Sequence, residues 1–252
     1  MKKVIILLGP TGVGKTNASI LLAKHLKTEI ISSDSMQIYR HMDIGTAKPS
    51  KEQRQMIKHH MIDIVKPWEP YSTGEYIKNV QPVIVNLHKK NKIPIVVGGT
   101  GLYIRAMTRG IFSGPSADWD LRDKLLAEEK KSPGCLYKYL KSYDPISASK
   151  IMPSDIRRVI RALEVCLKSN TTISEMQQEL TKPIPYEYIK IGMTRDRKEL
   201  YSLIEQRVDK MINAGLVDEV KNVIQMIEEH FSKSELNSSL SSMQAIGYKE
   251  IA

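Results

Sequence analysis

The sequence predicts an α/β fold in which a parallel sheet is flanked by helices and interrupted by an all-helical subdomain. Three observations lead there: short unbroken apolar runs alternating with helical patterns, a glycine-rich turn between the first run and the first helix, and the loss of strand signal between about Ser113 and Pro185. Alternating strands and helices imply parallel pairing through right-handed crossovers. Strands covered on both faces lose the polar alternation of a half-exposed sheet.

The first run, Val4-Ile5-Ile6-Leu7-Leu8, leads through the turn into Asn17 to Leu26, where apolar residues recur at helical spacing. Further runs expected as buried strands are Glu29-Ile30-Ile31-Ser32-Ser33, Met61-Ile62-Asp63-Ile64-Val65, Ile93-Pro94-Ile95-Val96-Val97 and Tyr188-Ile189-Lys190-Ile191-Gly192. A helix from Thr73 to Lys90 precedes the run Ile93 to Val97. Leu121 to Lys130, Leu136 to Lys141 and Ser154 to Lys168 read as polar-faced helices, and Ser154-Asp155 can accept the orphan amides of the last one's first turn. Lys198 to about Ala214 is amphipathic, with Gly215 fitting its C-terminal cap. Ser232 to Ser242, with six serines and few apolar anchors, reads as a mobile loop. The expected domains are a catalytic core of residues 1–112 plus 186–252 and a helical insertion of residues 113–185.

Composition bounds the function. Hydrophobic residues make up 41% and charged residues 26% of the 252, an ordinary globular balance that excludes a disordered or fibrous chain. The longest apolar run is too short to span a membrane and passes directly into glycines rather than a cleavage site, so the protein is expected to be cytoplasmic, with no membrane partner. Cys135 and Cys166 have no neighbours at metal-ligand spacing and cannot form a dense disulfide framework, so both are expected to be reduced filler. The formal net charge of +10, from 38 Lys and Arg against 28 Asp and Glu, suits a polyanionic partner such as nucleic acid.

Gly9-Pro10-Thr11-Gly12-Val13-Gly14-Lys15-Thr16 matches the P-loop pattern and lies where its mechanism requires, between strand and helix, so the sheet is P-loop NTPase-like. Its backbone amides converge on a phosphate, Lys15 neutralises phosphate oxygens, and the Thr16 hydroxyl is placed to ligate Mg²⁺. A nucleotide triphosphatase would add an apolar strand ending in Asp. Here that strand ends in Gly98-Gly99-Thr100-Gly101. The acid at a comparable strand end is Asp34, which points toward the ligand crevice as a Mg²⁺ ligand, a general base or the cap of the next helix. The glycines after Val97 allow either close ligand approach or a tight turn. Arg157, Arg158 and Arg161 fall at neighbouring helical positions and form either a phosphate-contact surface or a solvated face paired with Asp155 and Glu164.

Together these pieces resemble the tRNA dimethylallyltransferases, also called isopentenyltransferases, over nearly the whole chain. The resemblance rests on Gly9 to Thr16, on Asp34-Ser35-Met36-Gln37-Ile38-Tyr39 running into Met42-Asp43-Ile44-Gly45-Thr46-Ala47-Lys48-Pro49, and on His59-His60-Met61-Ile62-Asp63. It extends through Gly98-Gly99-Thr100-Gly101-Leu102-Tyr103, Arg157-Arg158-Val159-Ile160-Arg161-Ala162-Leu163-Glu164 and Gln244-Ala245-Ile246-Gly247-Tyr248-Lys249-Glu250. It implies that the P-loop holds dimethylallyl diphosphate with Mg²⁺. The dimethylallyl group would then pass to N6 of the adenosine 3′ to the anticodon, position 37, with release of diphosphate. Asp34 becomes general base, Thr100 lies near the reacting groups, and Arg197, with Arg195 as rival, matches the diphosphate-binding arginine. Asp34, Ser35, Met36, Gln37, Thr100, Arg122, Arg157, Arg158, Val159, Ile160 and Arg161 are the implied tRNA contacts, made to an anticodon stem-loop by a monomer. Met36, Ile38 and Tyr39 form either an apolar or stacking wall or part of the core.

Family members commonly continue for several dozen residues beyond the Ile-Gly-Tyr-Lys-Glu block with a basic helix, whereas this sequence stops at Ala252, as a truncated chain, one lacking its tail or a short member; a real truncation would put tRNA affinity in question before chemistry. Two enzyme alternatives remain: a prenyltransferase acting on free adenine nucleotides, and a P-loop small-molecule kinase. A third reading is an RNA-binding module with a decayed active site.

Overall fold

A computed structural model describes residues 2–112, 114–181, 183–231 and 240–252. The chain divides into two compact units, one running to Thr108 and resuming at Pro185, the other Arg109–Ile184, so the boundaries fall within a few residues of the expected ones. No described helix is long and apolar enough to cross a membrane.

The first unit begins with β1 (Lys3–Leu8), α1 (Lys15–His25), β2 (Ile30–Ser32), α2 (Lys51–Met56), β3 (His59–His60), α3 (Thr73–Lys89), β4 (Ile95–Val97) and α4 (Gly101–Arg109). The second holds α5 (Trp119–Lys131), α6 (Cys135–Tyr143), α7 (Pro145–Ala148), α8 (Ile156–Ser169) and α9 (Ile173–Leu180). The first then resumes with β5 (Glu187–Gly192), α10 (Arg197–Asn213), α11 (Leu216–His230) and α12 (Tyr248–Ile251).

All strand pairs are parallel, in the order β3-β2-β4-β1-β5. The register places Leu7 and Ser32 on either side of Val97, so the C-terminal ends of β1, β4 and β2 share one edge of the sheet. Val4, Ile6, Ile31, Ile95 and Val96 are buried between the helical layers, as continuous apolar runs require.

Two expected strands differ from the structure. Residues 61–65 do not continue β3, because Met61 and Asp63 adopt left-handed backbone (φ 63° and 56°), which breaks an extended run. Only Val65 pairs, as a single bridge to Tyr39. β5 was expected to be covered on both faces but lies at the edge of the sheet beside β1, leaving Ile189 and Ile191 about 40% exposed. Most of the serine-rich stretch expected to be a mobile loop, residues 232–239, lies outside the described residues.

The helical unit packs Leu125, Leu136, Leu140, Val159 and Leu163 into its own core. Truncating a leucine buried like Leu136 or Leu140 to Ala typically costs about 2–5 kcal/mol. Asp144, itself buried, caps α7 through the Ser147 amide and binds the Ser174 amide and hydroxyl of α9, so one carboxylate ties two helices. Asp155 caps α8 by accepting from the Arg158 amide.

Candidate active site

β1 runs into the P-loop, and Gly14 caps α1 with φ 97°, a left-handed conformation that would strain other residues. The first-turn amides of α1 are thus presented without a side-chain cap. Val13 is buried beneath the loop, its amide reaching the Pro10 carbonyl at 3.5 Å. Lys15 Nζ donates to the Gly9 and Pro10 carbonyls, both at 2.8 Å, which holds the ammonium over the loop. Thr11, Gly12, Gly14, Lys15 and Thr16 line a cavity of about 320 Å³.

The opposite wall comes from the ends of β2 and β4. A Cβ on Gly98 would lie 2.2 Å from the Ser33 carbonyl oxygen, so only glycine lets these strand ends approach so closely. The Thr100 amide donates to that carbonyl at 3.1 Å, and its hydroxyl oxygen accepts from the Ser35 amide at 2.9 Å. Thr100 therefore fixes the turn that carries Asp34 and does not itself line the cavity. Asp34 does line it. Its Oδ1 accepts from the amides of Met36 (2.9 Å) and Gln37 (3.4 Å), so the capping role is real. Oδ2 is left with no hydrogen-bond partner among the described residues.

Gln37 also faces the cavity, with its amide held at both ends: Oε1 accepts from Ser32 Oγ at 3.0 Å, and Nε2 donates to the Thr46 and Ala47 carbonyls, each at 3.3 Å. Met36 packs against the core, and Ile38 and Tyr39 are buried in it, so neither of the latter forms a wall open to ligand. His59, which the sequence did not single out for the site, lines the cavity with Nδ1 on the Ile57 carbonyl. Burial lowers its pKa against the pull of that carbonyl.

The structure does not bring Arg197 to this cavity. It opens α10 in solvent, donating from Nε to the Tyr201 hydroxyl at 2.9 Å, and Arg195 pairs with Glu199. The guanidinium in the cavity belongs to Arg207, about 15 Å further along the helix at about 1.5 Å per residue. Leu200 and Ile204 approach Gly12, and Leu203 lines the cavity beside Arg207, so this face of α10 covers the P-loop. Burial lowers the pKa of both Arg207 and Lys15, and Asp34 opposes it in each case. Two desolvated cations and one carboxylate thus share the cavity with no ion pair closing between them among the described residues. Arg207 also faces an adjoining basic cleft that contains Lys48, Lys51, Arg54 and Lys210.

The described residues hold no group of three metal-ligating side chains. The Thr16 hydroxyl and the Asp34 carboxylate nevertheless bring two oxygen donors to one cavity. That set fits Mg²⁺, which keeps several waters and takes its other oxygens from phosphate.

In the helical unit the expected tRNA contacts separate. Val159 and Ile160 are buried in its core, so their side chains face away from any ligand. Arg122 makes a bidentate pair with Glu164, and Arg161 joins the same carboxylate while donating to the Pro115 carbonyl. Glu164 is fully buried. Burial opposes its ionisation, but Arg122, the Asp118 amide and Arg161 outweigh it and lower its pKa. Arg158 is exposed and pairs with Asp155, and Arg157 is exposed.

Fold and P-loop together define a P-loop α/β enzyme. The family described as IPP transferase matches residues 37–252. A tRNA dimethylallyltransferase of Thermodesulfovibrio yellowstonii is 61% identical over 251 residues, covering 100% of this chain and 79% of that protein. One from Thermotoga neapolitana is 47% identical over 99% of this chain and 78% of its own length. Among solved structures, the full-length tRNA isopentenylpyrophosphate transferase of Bacillus halodurans is 39% identical with a TM-score of 0.67, covering 100% of this chain and 76% of that one. A eukaryotic dimethylallyltransferase captured acting on tRNA is 32% identical with a TM-score of 0.78, over 94% of this chain and 58% of that one. The chain belongs to the IPP transferase family.

Proposed function

We propose that the protein transfers a dimethylallyl group from dimethylallyl diphosphate to N6 of the adenosine 3′ to the anticodon, position 37, in tRNA, and releases diphosphate. The observation that carries this reading is the single cavity in which the P-loop, Lys15 and Arg207 face the open oxygen of Asp34. The loop amides, Lys15 and Arg207 bind the diphosphate and stabilise the charge that grows on it as the allylic carbon–oxygen bond breaks, a preorganised arrangement that costs no reorganisation during the reaction. As the nitrogen–carbon bond forms, Asp34 accepts the proton lost by the exocyclic amine. Thr100 and the Met36 and Gln37 amides hold that carboxylate in place. Mg²⁺, held by Thr16, would add positive charge at the diphosphate.

Gly98 and Gly99 stand where a triphosphatase would carry its metal-binding Asp, which disfavours phosphoryl transfer. Of the helical unit's arginines expected to contact tRNA, Arg157 and Arg158 are the exposed ones that would meet tRNA phosphates. A target base in an anticodon loop is already unpaired, which limits the cost of extruding it to the cavity. The enzyme works in this reading as a cytoplasmic monomer.

The test supplies labelled dimethylallyl diphosphate and Mg²⁺ with unmodified tRNA or AMP. Label should enter tRNA alone, and Asp34→Asn should slow transfer about 10²- to 10⁴-fold. Label in AMP would instead identify a nucleotide prenyltransferase, and phosphoryl transfer from ATP a kinase.

A further inference from the structure

Three distant stretches of sequence meet on one carboxylate beside the cavity. Glu219, in the first turn of α11, accepts from the backbone amides of Asp43 at 2.9 Å, Ile44 at 2.8 and 3.0 Å, and Gly45 at 3.0 Å. The Tyr248 hydroxyl of α12 donates to the same carboxylate. Successive amides converging on an anion form the kind of nest that binds phosphates, and here the anion is the protein's own. The ring of Tyr248 seats directly on this loop, since a Cβ on Gly45 would lie 2.4 Å from it. The next two residues of the loop, Thr46 and Ala47, supply the carbonyls that hold Gln37 Nε2, and both line the cavity with Pro49. A continuous chain of contacts therefore runs from Glu219 through loop 43–47 to a cavity-facing side-chain amide.

We propose that Glu219, seconded by Tyr248, is a positioning residue that sets loop 43–47 and through it the orientation in which Gln37 meets the acceptor base. This rests on reading the cavity as an adenosine prenyltransferase site. The Nε2 donors are taken by the Thr46 and Ala47 carbonyls, but Oε1 keeps a second lone pair for a donor such as the exocyclic amine of the acceptor, so a rotated amide would forfeit acceptor recognition. The donor diphosphate is held elsewhere, by the P-loop, Lys15 and Arg207, and should not sense the change.

The test uses the full chain with Glu219→Ala, Glu219→Gln and Tyr248→Phe, at a temperature where all are folded. Kinetic constants for each substrate are measured together with binding of inorganic diphosphate in Mg²⁺. Glu219→Ala should lower kcat/KM for tRNA by about 10- to 100-fold, as misplacements of about 1 Å do, with diphosphate binding kept within about twofold. Glu219→Gln, which keeps one acceptor oxygen for the nest, should recover part of the loss, and Tyr248→Phe should show a smaller loss of the same kind. A lowered Tm with kcat/KM unchanged for the folded protein would overturn the proposal, as would equal losses in diphosphate binding. Wild-type protein that transfers nothing to tRNA would remove the site reading on which it rests.

Discussion

In the sheet unit, Lys15, Asp34 and Arg207 face one cavity and no ion pair closes between them, whereas in the helical unit Arg122 and Arg161 both end on the buried carboxylate of Glu164. The two regions hold similar charges for opposite purposes. Desolvated charges that do not satisfy one another keep their field for a ligand, and this is what a diphosphate site needs. Charges that satisfy one another in a buried cluster spend it on architecture, and Arg122 and Arg161, read from sequence as RNA contacts, are paired in this way. Of the arginines read as RNA contacts, the contrast leaves Arg157 and Arg158 exposed to solvent.

The contrast breaks most visibly if Glu164 is removed. Glu164→Ala leaves Arg122 and the Asp118 amide without this acceptor and Arg161 with the Pro115 carbonyl alone, and should destabilise the protein by about 3 kcal/mol, measured by denaturant unfolding. A loss below about 1 kcal/mol would show that the arginines are not committed to it.

Arg157→Ala sharpens the comparison from the other side. It should leave stability within about 0.5 kcal/mol while weakening tRNA binding and reducing the slope of log affinity against log salt by about 1. An unchanged slope would take Arg157 out of the interface.

A pH-dependent test comes from a committed cluster beside β2. There Glu29 accepts from Lys92 Nζ and pairs with His60, both at 2.8 Å. Burial would raise its pKa, but these two partners prevail and pull it from 4.5 to about 2. A lowered carboxylate pKa contributes stability that is present above the unfolded value and lost as pH falls through the folded one. Wild type should therefore lose this contribution between about pH 4.5 and about 2, and Glu29→Gln should flatten that part of the stability curve.

The parts of the site that could be read in the sequence were those fixed locally. The P-loop declares itself by spacing, and Asp34 by standing one residue beyond Ser33 at a strand end. Arg207 was missed because its role depends on which way α10 turns, although Leu200, Leu203, Ile204, Arg207 and Met211 place an arginine among apolar neighbours at helical spacing. Motif likeness drew attention instead to Arg197, which Tyr201 occupies. The commitment of Arg161 to Glu164 is an i, i+3 pair, but that Glu164 is buried, and that Arg122 reaches it from another helix, emerges only on packing. The break after His60 was hidden because left-handed backbone at Met61 and Asp63 leaves no mark in an apolar run. The nest on Glu219 joins amides and a carboxylate some 175 residues apart, beyond any local pattern.

The most direct test is calorimetric binding of inorganic diphosphate with Mg²⁺ to wild type, Arg207→Ala and Arg197→Ala. Arg207→Ala should weaken binding by about 10- to 100-fold, in line with the worth of a charge-assisted contact, while Arg197→Ala stays within about twofold of wild type. The reverse ranking, with Arg197 required and Arg207 dispensable, would contradict the assignment of the cavity as the diphosphate site.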